Sequence, residues 1–315
     1  METRTLGRSG LRLSLAGLGC NNFGQRIGEQ ESVAVVEAAL DAGIRFFDTA
    51  DVYGGGRSET LLGRALGKRR QEVVIATKFG YRRGPGPQQG GASRSSVIES
   101  CEQSLRRLGR DYIDVYLLHV PDAETPIAET LDAMSQLVDQ GKVRYLGCSN
   151  FAGWQIADAQ GIARAGALRG FVAAQNEWSL IARDVEREVV PACEHAGLGI
   201  LPYFPLAGGA LTGKYRRGER FDESSRFGKR EARDGLFGHF VSEASLTRVE
   251  RLERVAADAG RSLLGLALSW LASQPVVSSV IAGATRPEQV AENVAETRSD
   301  LGADVFEAVE KVLAD

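Results

Sequence analysis

Three otherwise apolar, β-rich runs of this chain end on a charged or polar residue: Asp48 closes RFFD, Lys78 closes VVIATK and His119 closes IDVYLLH. Buried singly, such groups are costly. The pattern therefore asks for a fold in which strand ends meet, and in a parallel barrel every strand C-terminus converges on one mouth.

The rest of the chain keeps the same rhythm. Short apolar, β-branched runs alternate with amphipathic or Ala-rich ones, as in a parallel sheet covered by helices. Eight strands are expected at Leu15–Gly19, Arg45–Asp48, Val73–Lys78, Ile113–His119, Val143–Ser149, Val172–Glu177, Gly199–Phe204 and Ser278–Ala282. Between them, Glu31–Ala42 places Val33, Val36 and Leu40 on one helical stripe and meets Gly43, suited to the left-handed position after a helix. Ser96-x-x-Glu99 reads as a capping box opening a helix through Leu108. Thr5–Leu13, with Gly7 and Gly10, reads as a β-hairpin that plugs the bottom of the barrel. No Gly/Ser/Pro linker interrupts the eight βα units, so residues 1–315 are expected to form one α/β domain, a (β/α)8 TIM barrel. Two segments break the rhythm, Tyr81–Ser96 and Tyr215–Phe240. Each follows a strand end and is expected at the mouth, as an ordered lid or a disordered insertion.

Composition narrows the function. Of 315 residues, 43% are hydrophobic, and 38 basic and 41 acidic residues are mixed along the chain to a net −3, which offers no basic field for nucleic acid or an anionic membrane. A small-molecule partner is expected. METRTLGRSGLRLS has no apolar core of signal-peptide type and no window nears eighteen apolar residues, so the expected compartment is the cytoplasm. Cys20, Cys101, Cys148 and Cys193 form no CxxC pair or Cys/His cluster, so no metal site is expected.

With Tyr53 in the loop DVYGGG beyond Asp48, the strand-end residues compose an acid/base device. Lys78 beside the Tyr53 hydroxyl would stabilise the phenolate and lower its pKa, and Asp48 would hold the lysine charged and oriented. His119 could donate a hydrogen bond to a carbonyl oxygen beside Tyr53. Singly, each has a structural reading: an ion pair, a packing tyrosine, a satisfied histidine.

The chain resembles the aldo/keto reductase superfamily over its whole length, particularly the bacterial and plant members related to potassium channel β subunits. The resemblance rests on Phe47-Asp48-Thr49-Ala50-x-x-Tyr53-Gly54, Thr77-Lys78, Leu118-His119, Gly147-Cys148-Ser149-Asn150-Phe151, Gln175-Asn176-Glu177, Pro205-Leu206, Leu211-Thr212-Gly213-Lys214-Tyr215 and Gly283-Ala284-Thr285-Arg286. It implies that Asp48, Tyr53, Lys78 and His119 are the family's catalytic tetrad, and that the chain reversibly reduces aldehydes or ketones to alcohols with NADPH.

A Rossmann cofactor site is not expected, because Gly17-Leu18-Gly19-Cys20-Asn21 departs from Gly-x-Gly-x-x-Gly. The resemblance instead implies an extended dinucleotide across the mouth. Ser149, Asn150 and Gln175 match the carboxamide contacts, and Trp178 the aromatic that stacks on the nicotinamide. Leu206, Gly208, Leu211 and Lys214 match the pyrophosphate stretch, while Gly283, Thr285, Arg286, Gln289, Glu292 and Asn293 match the adenosine end. Gly19, Cys20, Asn21, Asp48, Phe204, Pro205 and Arg226 complete the expected cofactor contacts, Phe204 standing where the family often has Ser or Thr. Arg286 near a helix N-terminus can fork onto a 2′-phosphate, which favours NADP over NAD. Thr285-x-x-Glu288 also reads as a capping box. Phe23, Tyr81, Val120, Pro121 and Trp154 are candidates for an apolar entrance or for packing. Two other readings compete: an NADPH-binding redox-sensing partner protein with little turnover, and a metal-dependent sugar isomerase.

Overall fold

In a computed structural model, the described residues are 1–314 apart from 83, 85–89, 224, 229, 230, 232, 233 and 236. A two-stranded hairpin, β1 (Thr3–Thr5) and β2 (Arg12–Ser14), leads into eight parallel strands. These are β3 (Ala16–Gly19), β4 (Phe46–Asp48), β5 (Val74–Phe79), β6 (Ile113–Leu118), β7 (Val143–Ser149), β8 (Ala173–Gln175), β9 (Gly199–Ile200) and β10 (Val280–Gly283). Their order is β10-β3-β4-β5-β6-β7-β8-β9. The ring closes through Ile200 N–H to the Val276 carbonyl (2.8 Å), Ser278 N–H to the Ile200 carbonyl (2.9 Å) and Ile281 N–H to the Pro202 carbonyl (3.2 Å). The fold is thus a (β/α)8 barrel.

Each expected strand is present, several of them shorter. β9 ends early because Pro202 has no N–H to give a ladder and Phe204 turns left-handed (φ 52°); beyond it the pairing with β8 goes on as an isolated bridge between Glu177 and Tyr203.

Outside the ring lie α1 (Glu29–Asp41), α2 (Arg57–Leu66), α3 (Arg94–Leu108), α4 (Ile127–Asp139), α5 (Gly153–Ala165) and α6 (Val189–Ala196), followed by α7 (Glu243–Asp258), α8 (Leu263–Ala272), α9 (Pro287–Glu296) and α10 (Ala303–Ala314). Three details differ from expectation. In α1 the buried stripe is Val35, Val36, Ala39 and Leu40, and Val33 is only half-buried. The α3 cap is Ser93, whose extended backbone lets its hydroxyl accept from Ser96 N–H (3.4 Å); Ser96 already lies in the first turn. At α9 the chain turns helical only after Arg286, and Thr285 N–H is met by Gln289 Oε1 (2.8 Å) rather than by Glu288.

The hairpin closes the bottom of the barrel. Arg8 N–H donates to the Gly197 carbonyl (2.9 Å) and Ser278 Oγ to the Thr5 carbonyl (2.9 Å), both just before strands begin. Leu6 and Leu13 pack on the inward Phe46, Ala76, Val115, Leu117, Ala173, Leu201 and Ile281. Each buried leucine contributes about 2 kcal/mol. Among the described residues no helix is long and apolar enough to cross a membrane.

Candidate active site

The four strand-end and loop residues meet at the opposite end of the ring. Lys78 Nζ lies 2.7 Å from Asp48 Oδ2, 2.9 Å from the Thr49 carbonyl oxygen and 3.3 Å from the Tyr53 hydroxyl. Tyr53 reaches back over the mouth because the chain after it runs through Gly54 and Gly55, both left-handed (φ 59° and 65°), a path closed to most side chains. Asp48 Oδ1 accepts from Gln175 Nε2 at 2.8 Å. The His119 ring stands edge-on to Tyr53 at 5.8 Å and to Tyr81 at 4.6 Å between centroids.

Burial sets the charges here. Desolvation works against the Lys78 ammonium, but Asp48 and Tyr53 outweigh it and hold the group above the usual lysine range. For Tyr53 the balance falls the other way from the sequence expectation: burial outweighs Lys78, and the hydroxyl sits above the usual tyrosine range. Burial, reinforced by the Lys78 charge, pushes His119 down to about 2, so its imidazole is neutral. Its Nδ1 is buried without a partner among the described residues.

These groups open on a cleft of ≈ 1290 Å³ that extends from Tyr53 and His119 to Arg286 and Asn293. That exceeds the roughly 300–1,000 Å³ of an ordinary small-molecule pocket. Gly19, Asn21, Asp48, Ser149, Asn150, Gln175, Phe204, Pro205, Leu206, Gly208, Lys214, Arg226, Gly283, Thr285, Arg286, Gln289, Glu292 and Asn293 all border it. Lys214 and Arg226 do so without a carboxylate partner among the described residues. Burial and the nearby charge of Arg26 hold Arg226 below the usual arginine range. Uncompensated cations over left-handed Gly208 and Gly209, with Arg286 at the N-terminus of α9, fit a ligand carrying several phosphates.

Three residues expected at the cofactor lie elsewhere. Cys20 and Leu211 are fully buried in the core beside the cleft. Trp178 is turned outward: strand alternation from Gln175 sends it to the other face, where its ring meets Trp270 at 5.8 Å and its Nε1 donates to Glu186 at 2.9 Å. Tyr203, on the next strand segment, borders the cleft instead, its hydroxyl donating to Asn150 Oδ1 at 2.7 Å. Of the entrance candidates, Tyr81 borders the cleft, Phe23 is wholly buried in the core and Trp154 is exposed. Both long segments also reach it, through Tyr81 and through Asp222, Ser225, Arg226 and Phe237; positions 83, 85–89, 224, 229, 230, 232, 233 and 236 of the two expected lids lie outside the described residues. Sequence reading missed Asn22, Arg26, Tyr203 and Arg261. Only Tyr203, adjoining the Phe204-Pro205-Leu206 stretch, carried a usable signal.

Comparison with known proteins agrees with this geometry. The model of the aldo/keto reductase family matches residues 16–314. A probable voltage-gated potassium channel β subunit of Oryza sativa is 41% identical over 299 residues, covering 93% of this chain and 90% of that one. An uncharacterised oxidoreductase of Bacillus subtilis is 35% identical, with 97% and 94% covered, and L-glyceraldehyde 3-phosphate reductase of Escherichia coli is 35% identical, with 93% and 87% covered.

Proposed function

The chain belongs to the aldo/keto reductase family, and on that premise we propose that it reversibly reduces an aldehyde or ketone to the alcohol with NADPH. The observation that carries the reading is Lys78, wholly buried, bonded at once to Asp48 and to the Tyr53 hydroxyl at the floor of the cleft. Ser149, Asn150, Lys214, Arg226 and Arg286 would hold the dinucleotide, which supplies the hydride when bound. Tyr53, kept protonated by burial, gives its proton to the carbonyl oxygen as the alcohol forms. Lys78 stabilises the phenolate left behind, and Asp48 keeps Lys78 charged and aimed. Neutral His119 donates a hydrogen bond to the same oxygen and fixes its position. Phosphate-binding cations at the far end support NADPH over NADH. The reaction belongs in the cytoplasm, in keeping with four cysteines that are buried and unpaired.

The test is NADPH oxidation across a panel of aldehydes, ketones, quinones and sugars, with NADH alongside. Carbonyl-dependent oxidation supports the reading; its absence over the whole panel overturns it.

The relatives named as potassium channel β subunits favour a second reading, a partner protein that holds NADPH and turns over little. Stoichiometric NADPH retained through gel filtration, without carbonyl-dependent oxidation, would establish it.

A further inference from the structure

Behind the mouth, β4 and β5 are tied to one helix by side chains that the chemistry above does not use. Alternation along a strand turns the neighbour of each mouth residue to the opposite face. Thr77, beside Lys78, donates through Oγ1 to Glu59 Oε1 at 2.6 Å, and the other carboxylate oxygen of Glu59 accepts from Arg107 Nε at 2.6 Å. The preceding residue of α2, Ser58, donates to the Cys20 carbonyl at 2.8 Å. Its proton is thereby used, so at 2.8 Å it accepts from Thr49 Oγ1, beside Asp48. Ser58 and Glu59 are wholly buried. Arg107 reaches Glu59 past Gly56, left-handed (φ 92°), where a Cβ would stand 2.9 Å from Arg107 Cδ.

We infer that Ser58 and Glu59 are positioning residues: bonded to Thr49 and Thr77, they fix the distance between the strands that carry Asp48 and Lys78, and so hold Lys78 against the Tyr53 hydroxyl. This rests on the reading of Asp48, Tyr53, Lys78 and His119 as the proton-transfer site.

Apolar side chains would pack α2 on the sheet without the cost of burying a carboxylate. A carboxylate held by two short bonds supplies direction as well as adhesion. Direction matters most for the longest of the three Lys78 bonds, the one to Tyr53 at 3.3 Å. A retreat of β5 by about half an ångström puts that contact outside hydrogen-bonding range while sparing the shorter bond to Asp48.

The experiment uses the full chain with Thr77→Val, which removes the hydroxyl and keeps the shape, and Thr77→Ser, which restores it. With Thr77→Val, kcat for carbonyl reduction falls roughly tenfold, while NADPH affinity by fluorescence titration and KM change little. The alkaline limb of the kcat profile moves up, because a retreating Lys78 no longer favours the phenolate. Thr77→Ser returns both to wild type. If Thr77→Val only lowers the melting temperature, with kcat and the alkaline limb unmoved, the bracket is structural and the inference fails. If Thr77→Val does not fold, Glu59→Gln, of nearly equal size, is read in the same way. A readout without turnover separates this inference from the functional reading: ultraviolet difference titration of phenolate, with and without Tyr53→Phe. An upward shift of the Tyr53 step in Thr77→Val supports the bracket even if no carbonyl is reduced, and coincident steps overturn it.

Discussion

Gln175 Nε2 lies 2.8 Å from Asp48 Oδ1, on the carboxylate whose other oxygen holds Lys78. Both oxygens of Asp48 are therefore engaged, from β8 on one side and β5 on the other, and the ion pair is aimed before any ligand arrives. Replacing Gln175 by Leu should leave Asp48 Oδ1 buried and unsatisfied, at a cost of about 1–3 kcal/mol. Urea unfolding measures it, and an unchanged midpoint would show that the bond contributes nothing.

Tyr53→Phe removes the proton donor and leaves the ring. Carbonyl reduction should fall by about 10²–10⁴, with NADPH binding little changed, as read by steady-state kinetics beside fluorescence titration. Wild-type kcat in this variant would remove Tyr53 from the chemistry.

His119 is a pH probe with a definite sign. Its folded pKa of about 2 lies below that of the unfolded chain, so below about pH 6.5 the unfolded state takes up a proton that the folded state refuses. Stability contributed by neutral His119 is then lost as pH falls, by up to about 1.4 kcal/mol per unit. Urea melts at pH 7 and pH 5 should show a smaller acid loss for His119→Asn than for wild type. Equal losses would mean that the imidazole titrates freely in the folded chain.

Lys78→Met leaves the buried Asp48 carboxylate without its cation. Breaking a buried pair from one side costs about 3–5 kcal/mol. Lys78→Met with Asp48→Asn should recover part of that stability and none of the carbonyl reduction. A double variant no more stable than the single one would show that the charge is not what destabilises.

Arg286→Ala should weaken NADPH roughly tenfold or more, the value of one charge-assisted contact, and NADH hardly at all. Equal losses in parallel titrations would take the 2′-phosphate away from Arg286.

The barrel and the meeting of Asp48, Tyr53, Lys78 and His119 were legible in sequence because strand-end polarity and parallel topology are linked by geometry alone. What escaped depended on side-chain direction. Trp178 looks like a cofactor platform until alternation from Gln175 is followed outward to Trp270. Gln289 spends its amide oxygen on Thr285, a local bond that spacing alone cannot distinguish from the Glu288 box. The sign of the Tyr53 shift turned on burial, which overrides the adjacent ammonium and is invisible in a motif.

The hairpin beneath the barrel has a mechanical consequence. A ring of strands tears where neighbours share least, and here that place is the seam between two-residue β9 and β10. Arg8 grips the β9 side and Thr5 the β10 side, so the first residues of the chain act as a clasp across that seam.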